Sequence, residues 1–272
     1  MRRALASAVL PATVVVLSSC LFAQWPLNPE PNAPKSPDGK VNLAAPPPRL
    51  PDGKPDLQGV WMANPGGDPN VPVGRPPLAR FGNTAAGFKD DLPFQPWAKE
   101  LQKKRSAEFS KDNPDGLCLP ESTLQLHLDP QPFKIVQTPK AIYVIYETNY
   151  GIRTIYMDGR PLPAQGVPQP YWYGYSVGRW DGDTLVVQTN NYRDGGWLDA
   201  RGSPVTDALK VTERIRRVNY GQIDIELTVD DSKAYTMPFT VRIDERLQAD
   251  GSDLIEFICH ENQQFLKRVK VQ

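Results

Sequence analysis

The chain has 272 residues, and its 31 basic and 31 acidic side chains give a formal net charge of zero. Nucleic acids and anionic membrane surfaces attract basic proteins, so this balance argues against both as partners. The 29 prolines and 20 glycines favour turns, linkers and edge strands over long helices.

Residues 1–23 have the pattern of a signal peptide. Arg2 and Arg3 precede an apolar run, residues 4–17, that is too short to span a bilayer. The mature chain is therefore expected outside the bacterial cytoplasm. No later stretch of the sequence is apolar enough to form a span.

Two cleavage sites compete within this leader. Leu17-Ser18-Ser19-Cys20 resembles a lipobox, in which Cys20 is acylated and becomes the new N-terminus. Leu21-Phe22-Ala23 is the alternative, a site for ordinary signal peptidase. The first predicts a periplasmic or outer-membrane lipoprotein attached to the membrane through its lipid alone, and the second a free secreted protein.

Two cysteines, Cys118 and Cys259, remain after the leader. In an oxidising compartment such a pair favours a disulfide over two free buried thiols. The long loop that it closes would stabilise the fold by about 4 kcal/mol in the chain-entropy model.

The mature chain divides into two parts. Residues 24–55 are crowded with prolines and lack apolar periodicity, which predicts an extended tether. Residues 56–272 are expected to form a β-barrel domain with an irregular insert at 62–132. That insert contains one predicted helix, from Pro96 to about Ser110, with a narrow apolar stripe.

From residue 133 onward, short runs rich in Val, Ile, Tyr and Thr alternate with turn residues. Tight turns between consecutive strands predict an all-β fold, an antiparallel up-and-down meander that closes into a barrel and so removes its edges. The predicted strands are Phe133–Gln137, Ala141–Glu147, Ile152–Met157, Tyr171–Trp180, Thr184–Tyr192, Ala208–Val218, Gln222–Val229, Phe239–Leu247 and Asp253–His260.

A short motif adds a further strand before these. Gly59-Val60-Trp61 resembles the Gly-x-Trp pattern at the first strand of lipocalin-like barrels, and the resemblance implies a lipocalin-like barrel here. Glycine allows a tight bend into the barrel floor, and the tryptophan plugs it.

A broader resemblance covers nearly all of the mature chain. It is carried by residues 51–61, 134–139, 178–187 and 207–214, which are similar to segments of a large group of exported bacterial proteins. The resemblance implies export but no particular reaction. Many proteins of that group carry histidines near the loop that here reads Gly202-Ser203-Pro204-Val205-Thr206, and this chain has none there.

The sequence predicts no metal and no cofactor. His127 and His260 are the only histidines and lie far apart, without the spacing of a zinc site. Asp181-Gly182-Asp183 is typical of a hairpin turn rather than a calcium loop. Neither a nucleophile elbow, a phosphate-binding glycine loop nor a dinucleotide-binding motif is present. Nothing in the sequence indicates an oligomeric state.

Strand alternation places a charge inside the predicted barrel. Leu209, Val211 and Ile215 share a strand face with Glu213 and Arg217, so Glu213 is predicted to point inward. A buried carboxylate must be paired or neutralised. Glu213 is therefore either a catalytic residue that acts as a general base or one member of a structural ion pair with an inward arginine.

The segment 171–180 is rich in aromatic residues and glycine, which predicts either core packing or a pocket wall. Arg153 on a nearby strand is a candidate polar anchor for such a pocket. The candidate ligand-binding residues are Trp172, Tyr173, Tyr175, Arg153 and Arg217.

Three functions remain open at this stage. The first is an envelope protein that binds a small apolar or carbohydrate-like ligand in its barrel. The second is a lyase, isomerase or hydrolase that uses Glu213. The third is a structural or partner-binding lipoprotein, which a barrel filled with side chains would favour.

Overall fold

A computed structural model describes residues 30–67, 74–167 and 169–261 of the chain. The expected signal peptide and Cys20 lie outside these residues. Nine strands form one closed barrel, and the helices are short, which confirms the predicted all-β fold with a helical insert. No helix in the described ranges combines the length and apolarity needed to cross a membrane.

The strands follow the predicted order, with ends that differ by a few residues from the sequence pattern. They are β1 (Gly59–Ala63), β2 (Phe133–Gln137), β3 (Ala141–Tyr146), β4 (Ile152–Tyr156), β5 (Tyr175–Asp181), β6 (Thr184–Asn190), β7 (Lys210–Asn219), β8 (Gln222–Asp230) and β9 (Phe239–Leu247).

One neighbouring pair of strands departs from the antiparallel prediction. β4 and β5 are parallel, whereas the other eight pairs around the barrel, including β1 with β9, are antiparallel. An odd number of strands cannot alternate in direction all the way around a closed ring, so a nine-stranded barrel needs one parallel pair. The connection 157–174 therefore crosses the barrel from one end to the other.

The predicted strand Asp253–His260 is wrong, because these residues form no strand. They lie across the outside instead. Lys134 Nζ is 2.8 Å from Asp253 Oδ2, and the backbone N–H of Ile255 donates to Glu147 Oε2 at 2.9 Å. Charged and polar contacts hold this segment, so its β-like sequence pattern did not lead to pairing.

The barrel floor is built by the Gly-x-Trp motif. Trp61 is fully buried, and its indole Nε1 donates to the carbonyl of Leu57 at 3.0 Å. Gly59 has a φ of +139°, and a Cβ there would lie 2.7 Å from the Leu247 side chain. The guanidinium of Arg217 lies 4.9 Å from the Trp61 ring, so it closes this end of the barrel.

The described part of the expected tether, residues 30–55, lies against the barrel. The backbone N–H groups of Tyr220 and Gly221 donate to the carbonyls of Ala45 and Leu43 at 2.8 and 2.9 Å. Arg49 forms a bidentate pair with Asp183. This part of the chain therefore packs on the barrel floor rather than extending away from it.

The described part of the insert contains two α-helices rather than the one predicted. α1 (Pro96–Ala107) matches the predicted helix and ends slightly earlier. α2 (Thr123–Leu128) has only six residues, all of them buried, and the Ser122 hydroxyl accepts from the N–H of Gln125 at its start. Among the described residues, short 3-10 turns occur at Thr84–Gly87, Asp115–Leu117 and Thr148–Tyr150.

Cys118 and Cys259 form the predicted disulfide, with their Cα atoms 5.5 Å apart and a sequence separation of 141. The bond joins the loop before α2 to the segment that follows β9. It therefore ties the chain beyond the last strand to the upper end of the barrel, opposite the floor.

Candidate functional site

The lumen of the barrel is filled with side chains. Apolar residues of β2, β3, β6, β7 and β8 leave a cavity of about 20 Å³ between them. Such a space holds about one water molecule. This cavity therefore has no room for a small organic ligand.

Glu213 is at the centre of this interior, as its strand parity predicts, and is 0 % exposed. Arg153 of β4 binds it in a bidentate pair, with Nη1 at 2.9 Å from Oε1 and Nη2 bonded to Oε2. The same guanidinium donates to the hydroxyls of Ser176 and Thr189, each at 3.0 Å. The structure thus contains the pair between Glu213 and an inward arginine.

His127 of α2 adds a third charge to this group. Its Nε2 is 3.1 Å from Glu213 Oε1, and its Nδ1 is 3.4 Å from Glu245 Oε1 on β9. The ring also makes an edge contact with Phe133, with 5.5 Å between ring centroids. The four side chains Arg153, Glu213, His127 and Glu245 form what we call the lumen network.

Burial and charge act in opposite directions on the acids of the lumen network. Burial alone would raise the pKa of Glu213, but the charge and hydrogen bonds of Arg153 and His127 outweigh it and lower the pKa to about 2. Burial raises the pKa of Glu245 to about 7, although His127 opposes the change. Despite burial, the two carboxylates raise the pKa of His127 to about 9.

We expect the free energy of unfolding to fall as pH rises from about 5 to about 9. Folding raises the pKa of Glu245 from 4.5 to about 7 and that of His127 from 6.5 to about 9. The unfolded chain releases both protons first, so rising pH favours it. Glu213 has the opposite effect, because its folded pKa is depressed, but only below about pH 4.5.

Urea unfolding at pH 5, 7 and 9 measures this dependence. Glu245→Gln is the matched variant, since glutamine has nearly the shape of glutamate and does not ionise. We expect the change between pH 5 and 7 to become smaller in this variant, and the change between pH 7 and 9 to persist in part, because Glu213 still raises the pKa of His127 after Glu245 has lost its charge. A variant with the wild-type pH profile would contradict the assignment to Glu245.

The predicted ligand-binding residues do not share one pocket. Arg153 is in the lumen and Arg217 at the floor. Tyr175 faces outward, where its ring stacks on Tyr156 with centroids 5.2 Å apart. Trp172 and Tyr173 are half-buried. The Arg193 guanidinium lies 5.1 Å from the Trp172 ring. The ring centroids of Tyr173 and Tyr146 are 5.9 Å apart.

An open cleft of about 690 Å³ lies beside the barrel floor. We call it the floor cleft. Its walls come from the segment before the barrel, the start of β1, the β7–β8 hairpin and the chain after β9. The lining includes Asn32, Asp56, Gln58, Lys134, Tyr220 and Gln248.

Arg217 lines the floor cleft but is held by the backbone. Its Nη1 donates to the Asp56 carbonyl at 2.6 Å, and its Nε donates to the Tyr220 carbonyl at 3.2 Å. Burial lowers the pKa of Arg217 to about 10, although Asp56 and Tyr220 oppose the change. Its guanidinium therefore positions the walls of the cleft more than it offers donors to a ligand.

Sequence reasoning missed two members of the lumen network, His127 and Glu245. Glu245 could have been found by the parity argument used for Glu213, since it shares its strand face with Phe239, Val241 and Ile243. His127 is harder to find, because α2 is too short for a periodic signal. The only sequence signal was the capping residue Ser122 before an apolar run.

Comparison with known proteins identified no relatives. The chain matches no protein-family profile, and no curated protein or solved structure is significantly similar to it.

Proposed function

We propose that this protein is an exported envelope protein that acts by binding, and that its ligand is a polar, carbohydrate-like molecule held in the floor cleft. The observation that carries the proposal is the contrast in volume between the two spaces. The lumen offers about 20 Å³, whereas the cleft offers about 690 Å³. Small-molecule sites have volumes of roughly 300–1,000 Å³.

The lining of the cleft supports a carbohydrate-like rather than an apolar ligand. Asn32, Gln58 and Gln248 offer amide groups that both donate and accept hydrogen bonds, as sugar hydroxyls require. Asp56 and Lys134 add an acceptor and a donor of opposite charge. Tyr220 provides an aromatic side chain against which a sugar ring can pack.

The lumen network supports binding over catalysis. A general base must reach the proton that it removes, directly or through one water. Glu213 is fully buried, and both of its oxygens are bonded to Arg153. With its pKa lowered to about 2, it is also a weak base.

A panel of mono- and oligosaccharides, screened by thermal shift and then by calorimetry, tests the proposal. We expect Tyr220→Ala and Gln58→Ala to weaken binding of any ligand found by at least about tenfold, the effect of losing roughly 1.4 kcal/mol. Both variants keep the backbone carbonyls that Arg217 contacts. Tyr171→Ala, an exposed aromatic residue outside the cleft, is the control and should bind normally.

Two outcomes would count against the floor cleft. One is a panel in which no sugar shifts the melting temperature. The other is a ligand whose affinity is the same in the cleft variants and in wild type. A structural or partner-binding role, which the filled barrel also favours, would then be the better explanation.

A further inference from the structure

The chain after β9 runs along the outside of the barrel, from the floor to the upper end. Leu247 ends β9 at the floor, and Cys259 lies at the upper end, where it is bonded to Cys118. We call residues 248–261 the strap. All of these residues are described, and they form neither a helix nor a strand, so no backbone ladder fixes the strap to the barrel.

The lower part of the strap is one wall of the floor cleft. The strap residues that line the cleft are Gln248, Ala249, Gly251, Ser252 and Asp253. The N–H of Gln248 donates to the carbonyl of Val60 at 2.8 Å, which fixes the start of this wall to β1. The position of the rest of the wall therefore depends on what holds the strap further along.

Polar contacts near the surface hold the middle of the strap. Asp253 pairs with Lys134 of β2, and the two side chains are 48 % and 39 % exposed. Exposed pairs of this kind contribute little to stability, because water screens them. The N–H of Ile255 donates to the Glu147 carboxylate at 2.9 Å, but the side chains of Ile255 and Ile258 are largely in solvent. The middle of the strap therefore leaves much of its apolar surface unburied.

The disulfide attaches the upper part of the strap covalently. Both cysteines are partly exposed, which leaves the bond open to a reductant in solution. Cys118 also has a φ of +57°, in the left-handed region that residues other than glycine rarely adopt. Disulfides that are exposed or join strained segments are the ones that exchange readily with thiols.

We propose that the Cys118–Cys259 bond is a redox clamp on the floor cleft, and that its reduction releases the strap and loosens the cleft wall. A thiolate of a dithiol reductant attacks one cysteine sulfur to give a mixed disulfide, which the second thiol of the reductant then displaces. The protein gains two electrons and two protons and keeps two thiols, and the reductant leaves as a disulfide. The effect on a ligand rests on the proposed function, whereas release of the strap does not.

Release of the strap leaves the barrel closed. β9 pairs with β1 and β8 through residues up to Leu247, so the strap can leave without breaking a strand pair. Such an opening is local rather than global unfolding. A ligand in the cleft would then have to order the loosened wall when it binds, and this ordering lowers its affinity.

Amide hydrogen exchange of the mature protein, followed by NMR with and without dithiothreitol, tests the clamp. The reporter is the Ile255 amide, because its partner Glu147 belongs to the barrel. We expect this amide to exchange at least tenfold faster after reduction, over times in which the amides of β8 stay protected. The double variant Cys118→Ser with Cys259→Ser should exchange at the faster rate with or without dithiothreitol.

The matched variant is Lys134→Ala, which removes the exposed ion pair of the strap but keeps the disulfide. It should accelerate the exchange of Ile255 less than reduction does. An Ile255 rate that reduction leaves unchanged would overturn the proposal, and so would β8 amides that lose their protection together with Ile255. Reduced wild type and the double-serine variant are independent routes, so poor folding of the variant does not decide the question.

A sugar found by the saccharide panel extends the test to the cleft. Reduction should weaken its binding by at least tenfold, and equal affinity in the oxidised and reduced protein would overturn the link between clamp and cleft. A panel without any binding sugar counts against the proposed function alone. The exchange of Ile255 then still decides whether the bond holds the strap.

Discussion

Replacing Arg153 with methionine should destabilise the protein by about 3–5 kcal/mol, the range for removing one partner of a buried ion pair. The variant leaves the Glu213 carboxylate without its bidentate partner in a lumen that has no space for more than about one water molecule. Ser176 and Thr189 lose a hydrogen bond as well. Urea unfolding at pH 7 measures the loss.

An exposed ion pair provides the matched control for this prediction. Arg214 lies on the same strand as Glu213 but faces solvent, with its Nη2 3.1 Å from Asp181 Oδ2. Removing it should change stability by less than about 1 kcal/mol. The double variant Arg153→Met with Glu213→Gln should be more stable than Arg153→Met alone, because no unpaired charge remains. Equal losses in Arg153→Met and Arg214→Ala would contradict this account.

Replacing Cys118 and Cys259 together with serine should lower the free energy of unfolding by about 2–5 kcal/mol. The expected loss lies toward the upper end, because the bond closes a loop with 141 residues of sequence separation. A loop of that size restricts the unfolded chain strongly in the chain-entropy model. Unfolding curves under oxidising conditions give the difference.

Reduction of the wild-type protein provides the second arm of this test. Dithiothreitol should lower the wild-type unfolding midpoint to that of the double-serine variant and leave the variant unchanged. If reduction left the wild-type midpoint where it was, the disulfide would contribute nothing measurable to stability.

Much of the barrel could be predicted because strand parity and turn chemistry are local signals. The alternation along β7 placed Glu213 and Arg217 inside the barrel, and the two cysteines that remain after the leader indicated a disulfide between them. The sequence left open whether Glu213 is a catalytic residue or is paired with an inward arginine. Which residue meets Glu213 depends on barrel closure and register, and these bring Arg153 and His127 to it from 60 and 86 residues away.

Other features could not be predicted, because they depend on how many strands the barrel contains. A strand at Asp253–His260 would have made ten strands with the Gly-x-Trp strand, and ten can alternate in direction throughout. The structure has nine, so the β4–β5 pair is parallel. The packing of residues 30–55 on the floor also arises from tertiary contacts that their proline-rich sequence does not signal.

The parallel pair gives the barrel a seam. Only Ile155 with Ser176 and Tyr156 with Val177 are matched across it, whereas β8 and β9 match along eight residue pairs. Arg153 projects from β4, on one side of this seam, and reaches side chains of β5, β6 and β7 on the other. The buried guanidinium thus links β4 to β5, β6 and β7 through side-chain hydrogen bonds, at the strand pair with the fewest matched backbone residues.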